Sequence, residues 1–423
     1  MYNTIALEEP TQPVSLSFQV LLGFANAGAT IALLPVLFVL IPAQVNQINP
    51  QNAATNLALV LSVGAASAMI GNPLAGALSD RTTSRFGRRR PWILVGMILT
   101  ACGLAVLANS RSILLLMAGW AMVQFFGNML YAAYGAVLPD RVPVNQRGTT
   151  QALVGFASPI GIILGDLFSG RVQDYRAGYY PIILVLVILT TVFLFYYHEP
   201  RLPKGVLPHF RLRSFLSSFW INPQKYPSFS LAWVAWFLVW MGFSMGTGGY
   251  LFLFIQNITE YTSLYPGHEV KEGIANLQIM QILWGVPLMM LMAVMSDRIR
   301  RRKVFVTAGA LLVSLGMAML GFFTRWNIVM IAGVTIGAGF WIYYSLGLAM
   351  ISQVLPSASS RGKDLGVINI AATLPQTFMP TVGALVLNTI GVSSPLSYTV
   401  LFMTGAASAL LGGILMQFIR GVR

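Results

Sequence analysis

Twelve apolar stretches, nearly free of charge, constrain this chain more than any other feature, because each reaches the roughly 20 residues a helix needs to cross a bilayer. They lie at roughly 15–42, 54–79, 91–108, 112–138, 147–169, 177–197, 228–256, 273–296, 303–323, 326–354, 362–389 and 395–419, and are numbered here as spans 1 to 12. A backbone in hydrocarbon must satisfy its hydrogen bonds within the segment or within a closed barrel, and these stretches lack the period-2 alternation of barrel strands. They are therefore expected to be helices. Of the 423 residues 56% are hydrophobic and only 9% are charged, far from the roughly 25% charge of a soluble domain. The expected fold class is an all-α integral membrane protein with six helices on each side of a polar linker. The boundaries fall at 1–198 for the first six-helix bundle, 199–227 for the linker and 228–423 for the second bundle.

Basic residues orient the spans, since Lys and Arg stay on the cytoplasmic side. The loops after spans 2, 4, 6, 8 and 10, with the C-terminal tail, carry 21 Lys or Arg, and the opposite loops carry 5. Both termini are thus expected in the cytoplasm, with the chain in a bacterial inner membrane. The net charge of +14 follows from this topology, so nucleic acid is not an expected partner. The first fourteen residues contain Glu8 and Glu9 but no basic residue, unlike the positive start of a signal peptide. The only cysteine, Cys102, excludes an internal disulfide and reads as a small packing residue in span 3.

The two halves repeat each other. Asp80 and Asp297 stand 217 residues apart, each after a small residue and before an Arg-rich cluster, and Val137-Leu138-Pro139 and Val354-Leu355-Pro356 share that offset. Arg147-Gly148 and Arg361-Gly362 follow at an offset of 214, and Gly23-Phe24 in span 1 has a counterpart in Gly242-Phe243 of span 7. Such parallel repeats place a solute site near the midplane, between the halves.

The loop Gly76 to Leu94, with its G-x-L-x-D-R start and Gly87-Arg88-Arg89-Arg90, closely resembles the major facilitator superfamily, and the twelve-span layout extends that likeness over the whole chain. Within the superfamily, Asp80 to Pro91 is most similar to the loop of sucrose transporters and of the glycoside-pentoside-hexuronide cation symporters. The resemblance implies solute transport by alternating access, with sugars or glycosides as the substrate class. Sucrose transporters place a proton-coupling Asp in span 4, sixteen residues before a cytoplasmic Asp, with an Asn four residues later. Here Gln124 and Asn128 occupy those positions, counted back from Asp140, and the family's Arg aligns with Gly135. The coupling acid is missing. Gln does not titrate, so either Asp166 substitutes for it, coupling uses Na⁺ instead of H⁺, or transport is uncoupled.

Asp80 closes span 2, where a carboxylate can meet the positive N-terminus of a helix from the other half, and span 11 near Gly362 is the expected partner. By pseudo-symmetry Asp297 would address span 5 near Gly148. Arg81 and Arg88 are expected to pair with Asp140, and Arg147, Arg298 and Arg361 complete the candidate gating set, with plain topology anchoring as the alternative. Asp166 is the carboxylate placed inside a span. It reads either as an ion-coupling group, with Arg171 or Arg176 as partner, or as a residue of the outer interface.

Neutral polar residues recur at helical spacing: Gln124, Asn128 and Tyr131 on span 4, Asn369, Thr373 and Gln376 on span 11, Gln278 and Gln281 on span 8, and Asn26 with Thr30 on span 1. Polar groups facing lipid would cost energy, so these rows should point at a cavity or at one another. Amides and hydroxyls suit a neutral polyhydroxylated ligand. Trp284, Phe340, Trp341, Tyr343 and Tyr344 offer faces for a sugar ring or an apolar compound. No His cluster, metal set or nucleophile-base pair occurs in the spans, so an enzyme, a metal and a cofactor are not expected. The expected function is a secondary transporter, a monomer in the lipid bilayer, moving a sugar, glycoside or similar small polar solute with H⁺ or Na⁺. The alternatives are export of lipophilic compounds, hinted at by Pro159, Gly161 and Gly165, and the handling of a pigment, lipid or assembly partner.

Overall fold

Twelve membrane-length helices replace the twelve apolar stretches in the computed structural model, which describes residues 10–172, 174–199, 221–247, 249–351, 353–354 and 361–420, the side chains of 361–365 excepted. They are α1 (Leu16–Ile48), α2 (Pro50–Ser79), α3 (Arg90–Asn109), α4 (Ile113–Arg141), α5 (Val144–Gly170), α6 (Tyr175–Tyr196), α7a (Pro227–Met245) with α7b (Gly249–Asn257), α8 (Val270–Ile299), α9 (Arg302–Phe322), α10 (Trp326–Ile351), α11 (Arg361–Ile390) and α12 (Pro395–Gln417). The chain is an all-α integral membrane protein, as expected.

Local chemistry sets the helix ends. Ser15, Ser112 and Asp174 accept hydrogen bonds from the amides of Phe18, Leu115 and Arg176, and so cap α1, α4 and α6. Within α1 a π-helical turn spans Val36–Leu40 just before Pro42. Proline has no N–H and crowds the preceding turn, and widening the helix there absorbs the misfit. The glycines at 246 and 249 mark the break between α7a and α7b. Cys102 corrects one expectation, for its side chain is exposed and not packed.

Small residues bring helices close, as packing in lipid favours. A Cβ on Gly161 of α5 would stand 2.6 Å from the Ala27 carbonyl oxygen of α1, and the Gly309 and Gly339 backbones of α9 and α10 meet in the same way. The neighbours repeat after six helices. α1 packs on α5 and α6 and α3 on α4 and α6, while α7a packs on α11 and α12 and α9 on α10 and α12. That is the duplication seen in the sequence, expressed as packing.

Two compact units result, one of Met1–Val36 with Val63–Arg213, the other of Leu37–Ser62 with Ser214–Arg423. The division also cuts α1 and α2. The end of α1 and the start of α2 belong to the second unit, where Asn388 Nδ2 donates to Thr55 Oγ1 at 2.8 Å. Leu57 occupies the space that a side chain at Gly249 would need, its Cδ2 1.9 Å from the position of a Cβ.

Candidate functional site

In the first unit α1 and α4 gather the polar residues of their rows. Thr30 Oγ1 donates to the Asn26 carbonyl at 2.9 Å and hydrogen-bonds Tyr131 OH, so Tyr131 is the donor across the two helices. Asn26 Nδ2 donates to the Leu22 carbonyl at 2.9 Å. Asn128 Nδ2 donates to the Gln124 carbonyl at 2.8 Å and to Gln124 Oε1 at 3.1 Å. This leaves the Gln124 NH₂ and the Asn26 amide oxygen as spare hydrogen-bonding groups in a set without charge.

In the second unit Thr373 Oγ1 donates to the Asn369 carbonyl at 3.0 Å, and Gln376 Nε2 to the Ala372 carbonyl at 2.9 Å. Their donors are thus turned onto α11 itself, which leaves the Gln376 amide oxygen and the Asn369 side chain for other partners. Gln281 packs its methylenes on Gly337 of α10. Gln278 is buried, and its Nε2 has no hydrogen-bond partner among the described residues.

One expected site residue lies elsewhere. Tyr343 is completely buried, stacked on Trp236 at 5.1 Å with its hydroxyl donated to the Ala235 carbonyl at 3.2 Å, so it belongs to the core. Trp284 is 66% exposed in an apolar row of α8 with Met280 and Leu291. Tyr344 keeps partial exposure and joins a run of aromatic rings that periodicity alone did not single out. Phe243 stacks on Phe340 at 3.7 Å, Trp240 meets Phe340 edge-on at 4.9 Å, and Phe340 stacks on Tyr344 at 5.9 Å. Trp240 Nε1 is buried without a partner among the described residues. The signal was the density of Trp and Phe in α7a, which hydropathy reads only as lipid solubility.

The basic loop closes into a charge cluster. Arg88 Nη2 lies 2.6 Å from Asp140 Oδ1, as expected. The second arginine on Asp140 is not Arg81 but Arg89, whose Nε donates to Asp140 Oδ2 at 2.8 Å and whose Nη2 pairs with Asp80. Arg81 instead donates Nη1 to the Ala77 carbonyl at 2.8 Å, at the end of its own helix, where C-terminal carbonyls attract cations. Arg89 heads α3 and points back toward both carboxylates. Burial alone would lower the Arg89 pKa, but Asp140 and Asp80 outweigh it and hold the guanidinium charged. Glu199 joins from just beyond α6, its Oε2 accepting from the Arg89 amide at 2.7 Å and its Oε1 3.7 Å from Arg88 Nε. Arg147 caps the end of α4, donating to the Val142 and Pro139 carbonyls at 3.0 and 3.3 Å.

The repeat of this cluster is thinner. Asp297 pairs with Arg302 at 2.9 Å, with Asp297 mostly exposed, and Arg298 is exposed. Ser357 stands at the position equivalent to Asp140. The Arg361 side chain and the surroundings of Gly362, the expected partner of Asp80, lie outside the described residues.

Asp166 is 0% exposed, and neither carboxylate oxygen has a hydrogen-bond partner among the described residues. Neither Arg171 nor Arg176 pairs with it. One turn on, Ser169 is equally buried with an unpartnered hydroxyl.

Comparison with known proteins agrees with this architecture. The model of the Major Facilitator Superfamily matches residues 16–286 and 274–423. The chain belongs to the Major Facilitator Superfamily. It is a membrane transporter and not an enzyme. A rice (Oryza sativa subsp. japonica) sucrose transport protein is 22% identical over 460 residues, covering 88% of this superfamily member and 82% of the rice protein. The human proton-associated sugar transporter A is 49% identical over 72 residues, a stretch that takes in 16% of this chain but spans only 9% of the human protein. Among solved structures, a POT peptide transporter bound to sulfate superposes with a TM-score of 0.72 at 13% identity, covering 98% of this chain and 97% of that one. That likeness is one of fold.

Proposed function

We propose that the transporter moves a neutral polyhydroxylated solute, a sugar or glycoside, by alternating access. The uncharged set Asn26, Thr30, Tyr131, Asn128 and Gln124 on α1 and α4 carries this reading. Amides and hydroxyls in a low-dielectric setting hydrogen-bond a polyol without the ion-pairing groups that the charged ends of a peptide would require. α1, α7a, α7b and α10 contain no charged residue, and those of α4 are confined to Asp140 and Arg141 at its end. The sucrose and sugar transporters that the chain resembles support the same class. The aromatic run of Trp240, Phe243, Phe340 and Tyr344 favours a second reading, a lipophilic compound or a glycoside with an apolar aglycone. By this proposal the Arg88, Arg89, Asp80 and Asp140 cluster lies on the cytoplasmic side and rearranges as that side opens.

Proteoliposomes containing the purified chain, tested with radiolabelled sucrose, an aryl glucoside and a lipophilic dye, separate the readings. Saturable sucrose or glucoside uptake is expected, with KM raised about tenfold by Gln124→Ala, the loss of roughly one hydrogen bond. Dye efflux without sugar flux would overturn the sugar reading in favour of the second.

A further inference from the structure

We propose that Asp166 is the proton-carrying group of this transporter, loaded in the conformation described here and unloaded in another. The idea rests on the transport reading above and adds a site on α5, where no coupling acid is present on α4. Ionised, the carboxylate would sit completely buried with neither donor nor cation, among the most costly arrangements a protein can hold. Protonated, it needs one acceptor. Gly165 presses α5 against Ile31 and Pro35 of α1, where a Cβ would stand 2.3 Å from Pro35 Cγ. Pro35 has no N–H to give the Ile31 carbonyl, and the Val36 amide bonds Leu33. An acceptor without its usual α-helical donor thus lies on the turn of α1 that meets Gly165. Ser169 Oγ, one helical turn on, is buried and likewise without a partner among the described residues.

Within its own unit, the helices packed on α5 supply nothing to neutralise a carboxylate. α1 has no charged residue, α4 only Asp140 and Arg141 at its far end, and α6 only Arg176, which does not pair with Asp166; α5 itself adds only Arg147 at its start. The titratable hydroxyls on those helices are tyrosines, of which Tyr134 and Tyr179 are buried. In the cycle the Asp166 O–H bond breaks when the site meets water on one side, the proton passes to that water, and the carboxylate is reloaded from the other side. Opening the α1–α5 contact beside Gly165 would expose it.

The full-length chain in lipid nanodiscs is examined by infrared spectroscopy for the carbonyl stretch of a protonated carboxylic acid, and by mass spectrometry after treatment with dicyclohexylcarbodiimide, which adds to buried protonated carboxyls. Near neutral pH both an acid band and an adduct on Asp166 are expected, and both vanish in Asp166→Asn. That variant keeps the native thermal stability, because amide and neutral acid are alike in shape. In proteoliposomes with sucrose, the native chain should accumulate solute about tenfold for a gradient of about one pH unit. Asp166→Asn should exchange sucrose across the membrane at the native rate while accumulating none, and Asp166→Glu should restore accumulation. An acid band unchanged in Asp166→Asn, or undiminished accumulation by that variant, overturns the proposal. If the band and adduct are present while no sucrose moves, the substrate reading falls and the proton site stands.

Discussion

At the scale of single residues, the charge cluster turns on one glycine. Gly87 has φ of 98°, and a Cβ there would stand 2.6 Å from Glu199 Oε2, so only glycine lets the loop fold back over that carboxylate. Glu199 is nearly sealed from solvent. Burial raises its pKa above the ordinary range, more than the Arg89 amide and the two guanidinium groups lower it. An acid raised in this way contributes stability that is fully present below about pH 4.3. It is lost as pH rises through the raised value. Thermal unfolding of the native chain and of Glu199→Gln between about pH 4 and about pH 7 should therefore show the native advantage shrinking as pH rises. A gap that stays constant would mean that Glu199 does not titrate there. Arg88 and Asp140 were legible as a pair because they end a loop and a helix on the same side of the membrane. The choice of Arg89 over Arg81 was not, since hydropathy treats the arginines alike and only the direction of α3 distinguishes them. Glu199 was missed because its partner is 110 residues away in sequence.

At the scale of elements, hydropathy located the helices to within a few residues almost everywhere, because a bilayer sets their length. It could not say which glycines are contacts. Gly155 and Gly161 lie on the same helix, yet a Cβ on Gly155 would meet nothing within 4 Å, and one on Gly161 would meet the Ala27 backbone. Gly161→Val should thus destabilise the chain by about 1–3 kcal/mol, the usual result of overpacking. Gly155→Val should be near neutral. Comparing the unfolding of the two variants in the same detergent tests the α1–α5 contact directly, and equal losses would contradict it. The π turn in α1 escaped notice for a related reason: Pro35 and Pro42 announce a disturbance, but whether a helix kinks, breaks or widens depends on the packing around it.

At the scale of the whole molecule, the internal repeat was legible and its packing counterpart followed, with the same neighbours recurring six helices later. What the repeat did not foretell is that the end of α1 and the start of α2 belong with the second unit. The repeat pattern is blind to conformation. On the alternating-access reading proposed above, such ties are released in one state and remade in another. Thr55 and Asn388 make one, a single hydrogen bond between partly exposed side chains, which is weak enough to break in each cycle. With Cys102→Ser as background, Thr55→Cys combined with Asn388→Cys should therefore be joined by a short thiol-reactive crosslinker. Solute flux in proteoliposomes should fall to the protein-free rate on crosslinking and return when a reducible linker is cleaved. Each single cysteine variant should transport normally with or without reagent. Full flux in a quantitatively crosslinked sample would show that the contact persists throughout the cycle, and the opening of that end would then have to involve other residues.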